Sequence, residues 1–184
     1  MKIITAILLA ATLYRTEPTN GTVGFTIMKW GVVKEEGTFR DFAASIAFDA
    51  KDAAKSHVQF DVNAASIDTK NTSRDGTLRS EDFFHVAKYP KLTFRSTRVV
   101  PRGKNVADVT GNLTIRGVTR SITVPVRLHG VHRRNDGSEI AGFETTFTID
   151  RRHFGVTGGR WIAGAPGVLG TDVTIHIMAG GVTR

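Results

Sequence analysis

The groups in this chain that could do chemistry are six histidines and a crowd of carboxylates, arginines and hydroxyls between Ser66 and Asp82. His129 and His132 lie three apart on an alternating apolar stretch. Side chains at that spacing on a strand point to opposite faces, so the pair could chelate one metal only across a bulge. His57, His85, His153 and His176 are scattered, and no H-E-x-x-H spacing occurs. Cysteine is absent, which rules out disulfides, thiolate metal sites and a lipid-modified cysteine anchor. Asp68 and Asp75 could pair as acid and base, but Arg74 and Arg79 are so near in sequence that ion pairing is the simpler fate. No G-x-S-x-G nucleophile turn is present, and Ser66 and Ser80 read as turn and cap residues. The glycine-rich run from Gly155 to Gly170 lacks the G-x-x-x-x-G-K-[ST] phosphate loop, so it reads as a loop holding Trp161 as a plug or a lipid contact. These residues give no catalytic site, no metal site and no enzyme.

The stretch from Ala65 to Arg95 interrupts a chain otherwise built from alternating segments. Ser80 as N-cap, with Glu81 and Asp82 in the first turn and Phe83, Phe84 and Ala87 following, predicts a short helix over Glu81–Lys88 that Pro90 stops. The charges ahead of it form either a salt-bridged cap on one end of the fold or a polar gate beside an apolar cavity.

Alternation sets the elements that must position these groups. Val23, Phe25 and Ile27 begin one strand; Phe42, Ala44, Ile46 and Phe48 a second; Val58, Phe60 and Val62 a third; Leu92 to Val100 a fourth. Four more follow at Val106–Ile115, Ile122–Leu128, Phe143–Ile149 and Val173–Ile177, with turns at Pro101–Gly103, Arg116–Gly117 and Asn135–Gly137. Eight strands joined mostly by short turns make an all-β antiparallel meander, which escapes exposed edges by closing into a barrel. Such a barrel is either filled by side chains or holds one ligand.

The 184 residues suit one domain. Met1-Lys2 and the apolar run Ile3–Leu13 have signal-peptide length, so residues 1–13 are expected to be a leader and 14–184 the mature domain. Lys and Arg exceed Asp and Glu by 25 to 17, for a net charge of +8, which favours anionic partners. Arg127, His129, Arg133, Arg134, Arg151, Arg152 and Arg160 are not interleaved with exposed aromatic residues, so nucleic acid is disfavoured. A solvated positive face, or attraction to an anionic membrane surface, fits better.

The order S-I-D-T (66–69), R-D (74–75), L-R-S-x-D-F-F (78–84) and K-Y-P-x-x-x-F (88–94) resembles the signature of the YceI-like, polyisoprenoid-binding family of bacterial periplasmic proteins. Agreement continues through Glu17-Pro18 to Phe25, Gly31-Val32 and Gly37-x-Phe39. It extends to Gly111-x-Leu113-Thr114-Ile115-Arg116-Gly117-Val118-Thr119 and to Ile149-x-Arg151-Arg152-x-Phe154-Gly155-Val156, so the likeness spans about Tyr14 to Ile177. Departures stand at Asn20 and Thr77, where the family commonly has His, and at His85, where it has Asp.

The resemblance implies a lipocalin-like barrel with an apolar tunnel for a long-chain isoprenoid or fatty lipid, with an isoprenoid quinone or polyprenyl phosphate as the expected ligand and no other cofactor. On the inward parity the tunnel is expected to be lined by Phe25, Ile27, Phe42, Ile46, Phe60, Phe94, Val124, Val126, Phe143, Phe147 and Ile175, with Phe83 and Phe84 nearby. His85 is expected near the head group, and Arg74 to be tied to a neighbouring carboxylate. Small residues at Ala44, Ala64 and Gly142 would leave room inside. The alternative is a secreted barrel with a filled core that binds a protein or a membrane surface.

Overall fold

A computed structural model of the chain describes residues 11–16, 18–159, 162 and 167–183. Most of the expected leader, with Arg160 and Trp161, lies outside the described residues. The strands are β1 (Thr12–Thr16), β2 (Gly21–Lys29), β3 (Val33–Phe39), β4 (Phe42–Phe48), β5 (His57–Asn63), β6 (Ile67–Asp68), β7 (Lys91–Gly103), β8 (Val106–Ile115), β9 (Val118–Arg133), β10 (Glu139–Asp150) and β11 (Leu169–Val182). Thr12 and Leu13, read from sequence as the end of the leader, pair with Phe48 and Ala47.

The pairing reduces these segments to eight staves. β1 pairs with β4 while β2 pairs with β3, and β4 pairs with β5 while β3 pairs with β6. Thus β1 with β2, β3 with β4, and β5 with β6 each form one strand with a break in it. β7 to β11 follow as uninterrupted antiparallel neighbours, and β11 closes the barrel against β1 and β2. The expected eight-stranded antiparallel barrel is the fold found, and its jointed staves all lie in the N-terminal part.

Two of the breaks are stitched together where ladder bonds are missing. The Asn63 side chain accepts from the Ala65 amide (3.0 Å) and donates to Asp41 (2.9 Å), while Ser66 Oγ accepts from the Asp41 amide (3.1 Å). Backbone groups freed by a bend need such partners. β3 escapes the alternation rule because Lys34, Glu35 and Glu36 make it look like a loop. Glu35 nevertheless sits on the inward parity with Gly37 and Phe39.

The helix α1 spans Thr72–Arg79, ahead of the expected Glu81–Lys88. Asn71 is its N-cap, accepting from the Arg74 amide at 3.0 Å, and Asp75 supplies the acidic first turn. Ser80 ends this helix rather than starting the next: its amide donates to the Thr77 carbonyl at 3.1 Å. Residues 81–89 then run as successive turns, broken by His85 at φ 48°, a left-handed value that no helix continues through. Among the described residues no helix is long and apolar enough to cross a membrane.

Apolar packing lies in the wall rather than in one central core. Val23, Phe39, Phe42, Val62 and Ile67 make one cluster, and Phe83, Leu113, Ile115, Phe154 and Val156 another. Tyr14, Ile46, Ala141 and Phe143 make a third, and Val99, Val109 and Val124 a fourth.

Candidate functional site: two chambers in one barrel

The barrel interior is hollow. An upper cavity of about 380 Å³ reaches from the middle of the barrel towards the β4–β5 and β7–β8 connections, where Ala50, Ala53, Pro101 and Asn105 border it. A lower cavity of about 440 Å³ reaches the other end, beneath α1 and beside Phe154, Val156 and Ile162. Phe25, Phe39, Leu92, Ile115 and Ile175 border both, forming a waist between the chambers.

The inward parity of the strands builds the upper wall from Ile46, Phe60, Phe94, Val124, Val126, Phe143 and Phe147. Two glycines that the sequence offered only as motif residues make room for the rings. A Cβ at Gly37 would lie 2.4 Å from Phe25 Cζ, and one at Gly111 would lie 2.4 Å from Phe94 Cζ, so each ring lies across a bare backbone. Of the small residues expected to leave space, Ala44 borders the upper cavity, whereas Ala64 and Gly142 border neither. Thr145, between Phe143 and Phe147, also faces the upper chamber, and its buried hydroxyl has no hydrogen-bond partner.

The lower chamber combines apolar walls with a polar rim. Phe25, Ile27, Phe83, Phe84 and Ile175 line it, as do Lys29, Glu35, Arg74 and Arg151. Phe84 meets Phe39 edge-on at 5.8 Å, and Phe39 lies 5.8 Å from Phe25, so aromatic contacts run from the waist to the cap. Two predicted residues stand elsewhere. Phe42 is 4% exposed and stacks on Phe60 at 5.7 Å within the wall, bordering neither cavity. His85 also borders neither, because its left-handed backbone directs the ring edge-on to Tyr89 at 5.8 Å, which removes the basis for placing it beside a head group.

Within the charged stretch, Asp68 and Asp75 do not pair with Arg74 or Arg79. Arg74 reaches Glu35 on β3 at 2.5 Å and also donates to Thr69 Oγ1 and Thr69 O, both at 2.8 Å. Asp75 is buried and accepts from the Thr69 amide (2.9 Å) and hydroxyl (2.6 Å). Asp68 is bound by Arg40 at 2.8 Å, with Lys70 at 3.4 Å. The Lys70 amide first, helped by the Arg40 guanidinium, holds its carboxyl below the usual carboxylate range against the opposing effect of burial. The sequence expectation that Asp68 and Asp75 pair with Arg74 and Arg79 is therefore corrected.

Guanidinium groups tie the lower cap together through backbone carbonyls. Arg79 donates to Ala65 O (2.8 Å) and Ile67 O (2.7 Å), and Arg116 to Glu81 O (2.6 Å) and Gly155 O. Arg151, only 6% exposed, donates to Val156 O (2.6 Å), Gly170 O (2.8 Å) and Leu169 O (3.3 Å). Burial lowers its pKa. The carbonyls of Ala65, Glu81, Gly155 and Val156 lie outside the strands and those of Ile67, Leu169 and Gly170 at strand starts, so a fork of donors serves where the ladder runs out. Part of the basic charge is thus structural: Arg151 is a clasp, Arg152 is held by Asp150 at 2.6 Å, and His129 sits on Glu144 at 2.5 Å. A register shift beside Gly142 does bulge β9 at His129, but among the described residues no group of three His, Asp or Glu is placed to hold a metal.

The YceI-like domain profile matches residues 14–179, nearly the whole barrel. The chain belongs to the YceI-like family. The YceI protein of Escherichia coli O6:H1 is 40% identical over 134 residues, covering 73% of this chain and 70% of that protein. A UPF0312 protein of Enterobacter sp. (strain 638) is 41% identical over 135 residues, covering 73% and 70%. Among solved structures, BcnA of Burkholderia cenocepacia aligns with a TM-score of 0.81 at 28% identity, over 92% of this YceI-like chain and 99% of that one. A polyisoprenoid binding domain from Saccharophagus degradans shares the fold at a TM-score of 0.72 and 16% identity, over 95% and 99%.

Proposed function

We propose that this YceI-like barrel carries or buffers a long-chain isoprenoid lipid, such as an isoprenoid quinone or polyprenyl phosphate, in the bacterial periplasm. The observation that carries the reading is the pair of chambers placed end to end and meeting at an apolar waist. One long tail threading both would use the whole interior, with its polar end at the rim formed by Lys29, Glu35, Arg74 and Arg151. Family membership supports lipid binding, and the like fold of the polyisoprenoid binding domain of S. degradans supports an isoprenoid as the lipid. The basic-apolar start of the chain supports export. The cavities weigh against the filled-core alternative, and binding without catalysis accounts for the site.

The energetics suit a carrier better than a sink. A tail gains about 0.8 kcal/mol per CH₂ on leaving water, but a bilayer offers the same gain. Exchange between barrel and membrane is therefore nearly balanced and needs no energy source.

Native mass spectrometry and solvent extraction of the purified protein test the proposal. A co-purified isoprenoid is the expected result. A protein that stays empty, and takes up no quinone or polyprenyl phosphate from vesicles, would refute it.

A further inference from the structure

The β2–β3 hairpin ends in a tip whose apolar surface the cavities do not use. Lys29 and Val33 pair, and Trp30, Gly31 and Val32 form the turn between them, closed by the Val32 amide donating to the Lys29 carbonyl at 3.2 Å. Trp30 is 60% exposed and Val32 79%, and Met28 beside them is 41% exposed. Lys29 Nζ lies 4.2 Å from the centre of the Trp30 ring.

At so exposed a site the contact with Lys29 is a weak reward for this arrangement. Trp30 stands at φ 53°, in the left-handed region where a hairpin turn normally has Asn, Asp or Gly and a bulky side chain is disfavoured. A large aromatic shown to water from a strained position points to a surface outside the molecule. The tip also borders the lower chamber: Lys29 lines that chamber, and the Trp30 amide donates at 2.8 Å to the carbonyl of Val168, which lines it too.

We infer that this hairpin tip docks the barrel on an anionic bilayer, inserting Trp30 and Val32 among the head groups and setting the lower chamber against lipid. Tryptophan with aliphatic neighbours and lysine is the composition that settles at a membrane interface. A convex tip of a few side chains falls far short of the roughly 800 Å² per partner of a stable protein interface, whereas a bilayer closes around a convex intrusion. Lys29 and Lys34 are balanced by Glu35 (3.9 Å) and Glu36 (2.7 Å), so the attraction comes from the net charge of +8 on the whole chain. The inference rests on the carrier reading only for the reason a bilayer is met at this end.

Replacing Trp161 by Phe leaves Trp30 as the sole tryptophan. That variant is mixed with isoprenoid-free vesicles of phosphatidylcholine and phosphatidylglycerol. Trp30 emission should shift to shorter wavelength and be quenched by lipids brominated high in the chain. In the otherwise native chain, Trp30→Ser with Val32→Ser should lower vesicle partitioning by about tenfold or more, with the thermal midpoint equal or higher. Unshifted emission with vesicles, or unchanged partitioning of the double variant, overturns the inference. So does a shift produced by raising protein concentration without vesicles, which assigns the tip to contact between copies. Because the vesicles contain no isoprenoid, docking by a protein that extracts empty would leave this inference standing while removing the carrier reading, and loading without docking would do the reverse.

Discussion

Arg74, on α1, lies 2.5 Å from Glu35, a carboxylate on the inward parity of β3 at the rim of the lower chamber. This contact couples the cap to the barrel wall across a large separation in sequence. Removing the guanidinium leaves Glu35 facing an apolar cavity with only Lys29, at 3.9 Å, beside it. Arg74→Ala should therefore cost about 1–3 kcal/mol, and adding Glu35→Ala should recover part of the loss. Denaturant titration of the two variants and the parent, with bound lipid quantified in each, checks this. An Arg74→Ala protein of normal stability that has lost its lipid would instead make Arg74 a head-group ligand.

Ile46 and Phe60 face the upper chamber, where added volume meets space rather than packed neighbours. Ile46→Trp and Phe60→Trp should reduce lipid loading while costing less than the roughly 1–3 kcal/mol that overpacking costs a filled core. Extraction of bound lipid alongside thermal melts distinguishes the cases. Variants that simply fail to fold would contradict a hollow interior.

Gly37 lets the Phe25 ring lie flat at the waist. Gly37→Ala should drive that ring away from β3 and alter the passage between the chambers. The expected outcome is weaker binding of long tails with little change for tails short enough to occupy one chamber, measured as affinity against chain length.

Tyr14 is buried and donates to Glu139 at 2.9 Å; burial first, then Glu139, pushes its hydroxyl up to about 12. A folded pKa above the unfolded value of 10 gives stability that is intact below pH 10 and is lost as pH rises through about 12. The loss is on the order of 2 kcal/mol. Tyr14→Phe should flatten that alkaline slope while lowering neutral-pH stability by about 1 kcal/mol, and melts taken across the alkaline range read both effects.

His85 borders neither chamber, so His85→Asp should leave lipid content and head-group preference unchanged. A changed preference, seen by competition between quinone and polyprenyl phosphate, would restore the residue to the site.

What the sequence revealed follows from the reach of each interaction. Strict alternation at Phe143, Thr145, Phe147 and Ile149 reports the two faces of a wall, so the staves and most of the lining were legible. Phe42 has the same parity as Ile46 but stacks on Phe60, because periodicity gives the face and not the depth. β3 was hidden because Glu35 turns inward to meet Arg74, a partnership that local pattern does not encode. The helix was misplaced for a local reason: Asn71 and Ser80 are both capping residues, and the backbone of His85 decides which of them starts a helix. The arginine clasps were illegible because their partners are carbonyls, which every residue has.

The barrel closes where β11 meets β2 and, at Val182 and Arg15, β1, so the first stave waits for the last. Hairpin-by-hairpin growth from β7 to β11 is local, but the seam joins opposite ends of the chain, and such long-range pairing is slow to form. Until then the protein is an open trough with its greasy side uncovered. If the seam pairs last, a hydrocarbon present at that stage would be wrapped rather than threaded, and the compartment in which the chain folds would choose the cargo. Refolding from denaturant with and without isoprenoid, against loading of the closed barrel, separates wrapping from entry through a mouth.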